Sequence, residues 1–121
     1  LKPLKQGRGM WYAADQDYGI KHSVFAPFFG IDTATITMSS RLAGKNKSAV
    51  LMLHQFRDLS SQTWTLKFTP VLDNFPSGDD LADATRLNSM LEAELRNVPA
   101  QYLWMHRRFK TRPAGEVPFY K

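Results

Sequence analysis

A stripe of apolar side chains in the last third of the chain is the strongest constraint on the fold. The stripe recurs at the spacing of one face of an α-helix. Its members are Ala84, Leu87, Leu91, Leu95 and Val98. Residues 77–80 precede it with the pattern of a capping box, and Pro99 follows it, where a helix cannot continue. The sequence therefore predicts one long amphipathic helix whose apolar face packs on the core.

Residues 49–56 and 63–69 have the composition of two β-strands joined by a short polar linker, which favours an antiparallel hairpin. In the second strand Trp64, Leu66 and Phe68 alternate with polar residues. Because successive side chains of a strand point to opposite faces, this alternation predicts one buried face and one face in water.

Residues 10–14 form an apolar run after a glycine turn, which predicts a strand buried on both faces, as in parallel sheets. Asp15 and Asp17 follow it directly, at the edge where open α/β sheets bind ligands. Two carboxylates there can orient a base, bind a cation or hold an arginine. A polar turn, in which aspartate bonds its own backbone, is the plainer interpretation.

The segment between these elements predicts less regular structure. Residues 18–30 are punctuated by glycine and proline and predict a loop, yet the loop is apolar enough to cover a pocket or a partner surface. Residues 33–38 predict a short strand or the approach to a helix, and residues 39–44 predict a short helix with serine at its start and glycine at its end. The 121 residues therefore predict one domain or a piece of one. The order of the elements predicts an α/β or mixed architecture, with a mixed sheet, a hairpin and flanking helices.

Residues 101–113, the basic aromatic tail, interleave large rings with cations and include no acidic residue. The rings are Tyr102, Trp104 and Phe109, and the cations are Arg107, Arg108, Lys110 and Arg112, with His106 among them. With a net charge of +5, the chain favours acidic partners. A phospholipid or lipopolysaccharide surface suits this pattern, and single-stranded nucleic acid is the alternative. A solvated charged end is the plain interpretation.

Several kinds of chemistry have no signature in the sequence. The chain has no cysteine, which excludes disulfides, thiolate catalysis and cysteine-based zinc sites. His22, His54 and His106 do not cluster, and each favours a structural or surface role. Neither a phosphate-binding glycine loop nor a nucleophile elbow is present, and no apolar run is long enough to span a bilayer. The sequence therefore predicts no cofactor and no metal site.

Three blocks of the chain together resemble signatures of the lipid A biosynthesis lauroyl acyltransferases. They are GMWYAADQDYG at residues 9–19, FAPFFG at residues 25–30 and PAQYLWMHRRFKTRP at residues 99–113. Residues 40–43 and 82–94 also fit, so that the resemblance covers nearly the whole chain. One departure is Ala14, where the family usually has proline.

The resemblance implies an enzyme at the cytoplasmic face of the inner membrane of a Gram-negative bacterium. It would move a fatty acyl group from acyl carrier protein to a hydroxyl of the Kdo-bearing lipid A precursor, on the α/β fold of the glycerolipid acyltransferases and without a cofactor. The family's catalytic base is the histidine of a His-x-x-x-x-Asp/Glu motif, which none of the three histidines here begins. We therefore expect residues 1–121 to be the C-terminal portion of one acyltransferase domain, with the membrane anchor and the base on a missing N-terminal segment.

The resemblance also assigns roles to residues. Asp15 best matches the family's functional aspartate and would support catalysis by shaping the active-site wall, while Asp17 is a weaker match. Phe25 and Phe28 would line an acyl-chain path or lie against the bilayer. The cations of the tail, Arg107, Arg108, Lys110 and Arg112, would bind phosphate or the Kdo carboxylate of the substrate, or dock the acidic carrier protein.

Two rival interpretations assign no catalysis to the chain. One is a nucleic-acid-binding module that uses the basic aromatic tail. The other is a peripheral domain that binds a membrane or a protein.

Overall fold

The computed structural model describes residues 2–121, which form two antiparallel hairpins and three α-helices. In chain order the elements are α1 (Lys2–Lys5), β1 (Ser23–Phe28), β2 (Ile31–Ile36), α2 (Met38–Asn46), β3 (Leu53–Asp58), β4 (Thr63–Phe68) and α3 (Asp80–Leu95). Two single-turn 3₁₀ helices follow, at Pro99–Gln101 and Trp104–His106. The predicted α/β class is confirmed, but the predicted mixed sheet is wrong for residues 2–121, because both sheets there are antiparallel.

The first hairpin lies where the sequence predicts a loop. Strand β1 pairs with β2 from Ser23 opposite Ile36 to Phe28 opposite Ile31, and Phe29 and Gly30 form the turn, both with positive φ. A turn of that handedness matches the twist of paired strands. The loop prediction is wrong because it treats Pro27 as a break. Pro27 is exposed on a strand paired along one edge only, where its missing N–H costs no ladder bond.

Residues 10–14 do not form the predicted strand. They have no regular secondary structure and pair with no strand within residues 2–121, and Met10 and Trp11 are 41% and 75% exposed. The prediction is wrong because a buried strand needs neighbours in its sheet, and the described part of the chain places none beside this segment.

Helix α3 and the second hairpin lie close to their predicted positions. The α3 cap is Asp79, whose carboxylate accepts from the backbone N–H of Leu81 at 2.8 Å, while Asp83 reaches back to the N–H of Ser77 at 3.0 Å. The helix ends at Leu95, four residues before Pro99. The hairpin of β3 and β4 is confirmed, but β3 begins at Leu53, so the strand predicted from residue 49 is wrong for residues 49–52.

The predicted buried face of β4 is wrong. Trp64, Leu66 and Phe68 are 58%, 54% and 59% exposed. Their alternation shows that this face is apolar, whereas burial also requires an element to cover it. In residues 2–121 this face lies open.

Helix α2 confirms the predicted short helix but not its caps. Thr37 precedes the helix without a side-chain cap bond, since its hydroxyl donates instead to the carbonyl of His22 at 3.2 Å. Gly44 lies inside the helix, and Lys47 with φ of 50° ends it.

The core lies between the first hairpin, α3 and the C-terminal tail. Phe28, Leu95 and Phe109 form its buried cluster. The side-chain amide of Asn88 on α3 donates to the carbonyl of Pro27 at 3.0 Å and to the hydroxyl of Thr35 at 3.1 Å, which fastens the helix to both strands. Within residues 2–121 no helix combines the length and apolarity that crossing a bilayer requires.

Candidate functional site

Asp15 lies where two clefts meet. The larger cleft has a volume of about 900 Å³ and runs between residues 7–15, α2 and residues 46–54. The second cleft, of about 800 Å³, lies between β3, the end of α3 and residues 98–103. The residues that line both clefts are Asp15, Leu53, His54 and Leu91. An acidic residue at the junction of two largely apolar clefts is the arrangement expected of a ligand-binding site with few polar contacts.

The Asp17 side chain links the loop of residues 15–17 to the tail by hydrogen bonds. The side chain is 7% exposed. One carboxylate oxygen accepts from the N–H of Gly19 at 2.8 Å and from the hydroxyl of Thr111 at 2.9 Å, and the other accepts from the N–H of Thr111 at 2.7 Å. The bond to Gly19 is the polar turn that the plain interpretation predicts, and the two bonds to Thr111 add a link that sequence spacing does not indicate.

Tyr102 makes a second link between the same loop and the tail. Its hydroxyl donates to the backbone carbonyl of Asp15 at 3.0 Å. The ring lies edge-on to Trp104, with centroids 4.8 Å apart, and 6.0 Å from the ring of Phe28. Burial raises the pKa of the Tyr102 phenol, and the negative charge of Asp15 adds to this effect. The phenol therefore remains a hydrogen-bond donor at neutral pH.

Arg108 lies in the interior, with 0% of its surface exposed. Its guanidinium donates to the carbonyl of Ala34 at 2.7 Å, to the hydroxyl of Thr35 at 2.9 Å and to the side chain of Asn88 at 3.4 Å. It also lies 5.3 Å from the centre of the Phe28 ring. Burial lowers the pKa of Arg108, and the nearby Tyr102, Asp17 and Asp15 oppose that shift. Arg108 thus supplies a buried positive charge beneath the loop that carries both aspartates.

The other predicted substrate-binding cations point in different directions. Arg107 and Lys110 are exposed, and the Arg107 guanidinium lies 5.9 Å from the centre of the Tyr120 ring. The Arg112 side chain is only 15% exposed; it donates to the carbonyl of Asp32 at 2.5 Å and pairs with Glu116. The tail is therefore not one exposed basic surface, because Arg108 and Arg112 turn inward.

Phe25 and Phe28, predicted to line an acyl-chain path, are not among the residues that line the two clefts. Phe28 is fully buried in the core cluster, and Phe25 is half-buried on β1. The apolar lining of the larger cleft comes instead from two runs of the chain, residues 10–14 and 49–53, with Leu87 and Leu91 of α3. The composition of both runs is visible in the sequence, but their approach across the cleft depends on the fold.

His54 is the site residue that sequence reasoning missed. It is 7% exposed, it lines both clefts, and its buried Nε2 has no hydrogen-bond partner among the described residues. Burial lowers the pKa of His54, an effect that Glu94 opposes and Lys67 reinforces, so the imidazole is neutral at neutral pH. Nothing in the spacing of the three histidines indicates this position.

Residues 2–121 bring together no group of three or more histidine and acidic side chains that could hold a metal ion. The other two histidines are exposed, and His106 lies 3.4 Å from the side-chain amide of Gln16. The chemistry available at the junction of the clefts is therefore that of a carboxylate, a neutral imidazole and apolar walls.

Similarity to known proteins covers almost the entire chain. The model of a family described as bacterial lipid A biosynthesis acyltransferase matches residues 1–111. The chain is 41% identical to the lipid A biosynthesis palmitoleoyltransferase of Escherichia coli (strain K12), over 97% of this chain and 38% of that protein. It is 37% identical to a lipid A biosynthesis acyltransferase of Haemophilus influenzae, over 98% of this chain and 39% of that protein. The chain is 35% identical to the lipid A biosynthesis lauroyltransferase of E. coli K12, over 95% of this chain and 38% of that protein.

The chain spans about two fifths of the length of these relatives. Their names give different acyl groups, so the similarity extends beyond the lauroyl enzymes to which the sequence blocks point. The resemblance itself is confirmed: the chain belongs to the bacterial lipid A biosynthesis acyltransferase family.

Proposed function

We propose that residues 1–121 form part of an enzyme that transfers a fatty acyl group to a hydroxyl of a lipid A precursor. The observation that carries this proposal is the identity of 35–41% to acyltransferases named for two different acyl groups, over nearly the whole chain. The donor in this proposal is an acyl carrier protein thioester, and the site of action is the cytoplasmic face of the inner membrane. The complete domain would have the α/β fold of the glycerolipid acyltransferases.

The proposed reaction joins the acyl carbon to the acceptor oxygen. A general base removes the proton of the acceptor hydroxyl, the oxygen attacks the thioester carbonyl, and the carbon–sulfur bond breaks. The proton then passes to the departing carrier thiolate. None of the three histidines here begins the His-x-x-x-x-Asp/Glu motif. We therefore assign the base to polypeptide beyond residues 1–121, within the greater length of the relatives.

We assign Asp15 to the wall of the active site, where it would support catalysis. Its position at the junction of the two clefts supports this role, since an acyl chain bound in either cleft would pass beside Asp15. The apolar lining of the larger cleft suits an acyl chain. Phe25 lines neither cleft, so of its two predicted roles we keep the one against the bilayer, while Phe28 supports β1 from the core.

We assign recognition of the acidic groups to the exposed cations of the tail. Arg107 and Lys110 would meet the phosphate or Kdo carboxylate of the acceptor, or acidic residues of the carrier protein. Arg108 and Arg112 would act indirectly by holding the tail, because their hydrogen bonds go to protein atoms. The exposed Leu103, Trp104 and Met105 beside them suit the headgroup region of a membrane.

The rival nucleic-acid-binding interpretation has less support. It requires the rings and cations of the tail to form one open surface, whereas Arg108 and Phe109 are buried. It also gives no role to Asp15 or to the clefts.

The intact gene product that contains residues 1–121 provides the test. Acyl transfer from an acyl carrier protein thioester to the Kdo-bearing precursor should be detectable in vesicles, and Asp15→Asn should lower kcat at least about tenfold because the carboxylate faces the reacting groups. Asp32→Asn, a change of an exposed aspartate on β2, is the matched control and should leave the rate unchanged. An intact protein with no transfer, or with equal rates for both variants and wild type, would contradict the proposal.

A further inference from the structure

Two separate links hold the loop of residues 15–17 against the C-terminal tail. Thr111 binds the carboxylate of Asp17 through its N–H and its hydroxyl, at 2.7 and 2.9 Å. Tyr102 binds the backbone carbonyl of Asp15 at 3.0 Å. The first link fixes where the loop lies on the tail, and the second acts on the residue that faces both clefts.

We propose that Tyr102 is a positioning residue for acyl transfer, whose hydroxyl fixes the backbone of Asp15 and thereby orients the Asp15 carboxylate at the junction of the clefts. The inference rests on the proposed function, in which Asp15 forms the wall of the active site. It adds Tyr102, a lining residue of the second cleft, whose hydroxyl bonds the backbone of Asp15, a residue that lines both clefts.

The target of the hydrogen bond supports this assignment. The phenol bonds the carbonyl of Asp15 and not its carboxylate, and the hydrogen bonds of residues 2–121 include none to that carboxylate. The side chain is thus left free for substrate or for a base, while the backbone that carries it is held. An error of about 1 Å in the position of a reacting group can cost about 100-fold in rate.

The surroundings of Tyr102 make it a rigid support. Its ring packs against Phe28, which is fully buried, and against Trp104. Arg108 lies beneath, with its guanidinium bonded to β2 and α3. Because the ring is held by packing, the hydroxyl can be removed without moving the ring, so that its own contribution can be measured.

Tyr102→Phe in the intact protein is the test, with Tyr18→Phe as the matched control. The Tyr18 hydroxyl also donates to a backbone carbonyl of this segment, that of Ala13, but the bond is 3.4 Å long and exposed. Tyr102→Phe should lower kcat at least about tenfold and leave KM for both substrates within about twofold. Tyr18→Phe should leave kcat and KM unchanged. Assays run well below the melting temperature of each variant, so that all are fully folded.

A double-mutant cycle with Asp15→Asn separates positioning from general stabilisation. If Tyr102 acts through Asp15, adding Tyr102→Phe to Asp15→Asn lowers kcat less than about twofold further. Independent effects that multiply, or a Tyr102→Phe variant with wild-type kcat, would overturn the positioning role and leave the proposed function standing. A wild-type protein without transfer activity would instead refute the proposed function, and the positioning role with it.

Discussion

At the scale of single residues, the tail shows that the same side-chain type serves two purposes. Arg107 is exposed, whereas its neighbour Arg108 is fully buried and bonds β2 and α3. Adjacent residues in an irregular segment can point in opposite directions, and composition does not reveal which one points inward. The sequence therefore identifies the cations but cannot separate those available to a ligand from those that hold the tail. Asp15 lines both clefts, and its role at the active site stays a prediction.

Arg107→Gln with Lys110→Gln tests the exposed pair. We expect KM for the lipid acceptor to rise at least about fivefold, since each lost cation removes a charge-assisted contact to an acidic group. Lys45→Gln on α2, an exposed lysine that lines neither cleft, is the control. Steady-state rates on vesicles of fixed lipid composition provide the measurement, and an unchanged KM would show that these cations do not contact the acceptor.

At the scale of elements, local signals decide which structures the sequence predicts. Helix α3 carries its own cap, its own apolar stripe and a following proline, and the second hairpin carries its own alternation and linker. The first hairpin depends on the pairing of β1 with β2, and residues 10–14 depend on strands that residues 2–121 do not place beside them. Pairing is a property of two segments, so one segment's composition does not determine it.

Asp79→Ala tests the cap of α3. The change removes the acceptor of the Leu81 and Ala82 N–H groups and should destabilise the first turn by about 1 kcal/mol. In the intact protein, amide exchange of the peptide covering the start of α3 should then accelerate about fivefold. Asp79→Asn keeps a capping oxygen and should exchange nearly as wild type does. Equal exchange for all three proteins would mean that the cap contributes nothing.

At the scale of the whole molecule, the surface is too large and too apolar for a compact monomer. The structure exposes 8245 Å², whereas a folded monomer of this mass exposes about 6,600 Å². The exposed side chains include large apolar ones on several elements: Trp11, Leu59, Trp64, Leu66, Phe68, Met105 and Val117. Such patches mark surfaces that another polypeptide or a membrane covers.

The 121 residues expressed alone should therefore self-associate and lack a sharp cooperative melt as a monomer. Analytical ultracentrifugation and scanning calorimetry measure these properties. Replacing Trp64, Leu66 and Phe68 with threonine should raise the monomer fraction, because threonine suits a strand and removes the apolar face of β4. A monomeric wild-type chain with a sharp melt would contradict this expectation.

The bonds from Thr111 to Asp17 join residues far apart in the chain, next to the end of the region that the family model matches. A protein shortened to end at residue 110 would keep every residue that lines either cleft. It would lose the two hydrogen bonds from Thr111 to Asp17, which hold the loop of residues 15–17 on the tail. Under the role proposed for Asp15, such a protein would transfer acyl groups more slowly even though every residue that lines a cleft is retained.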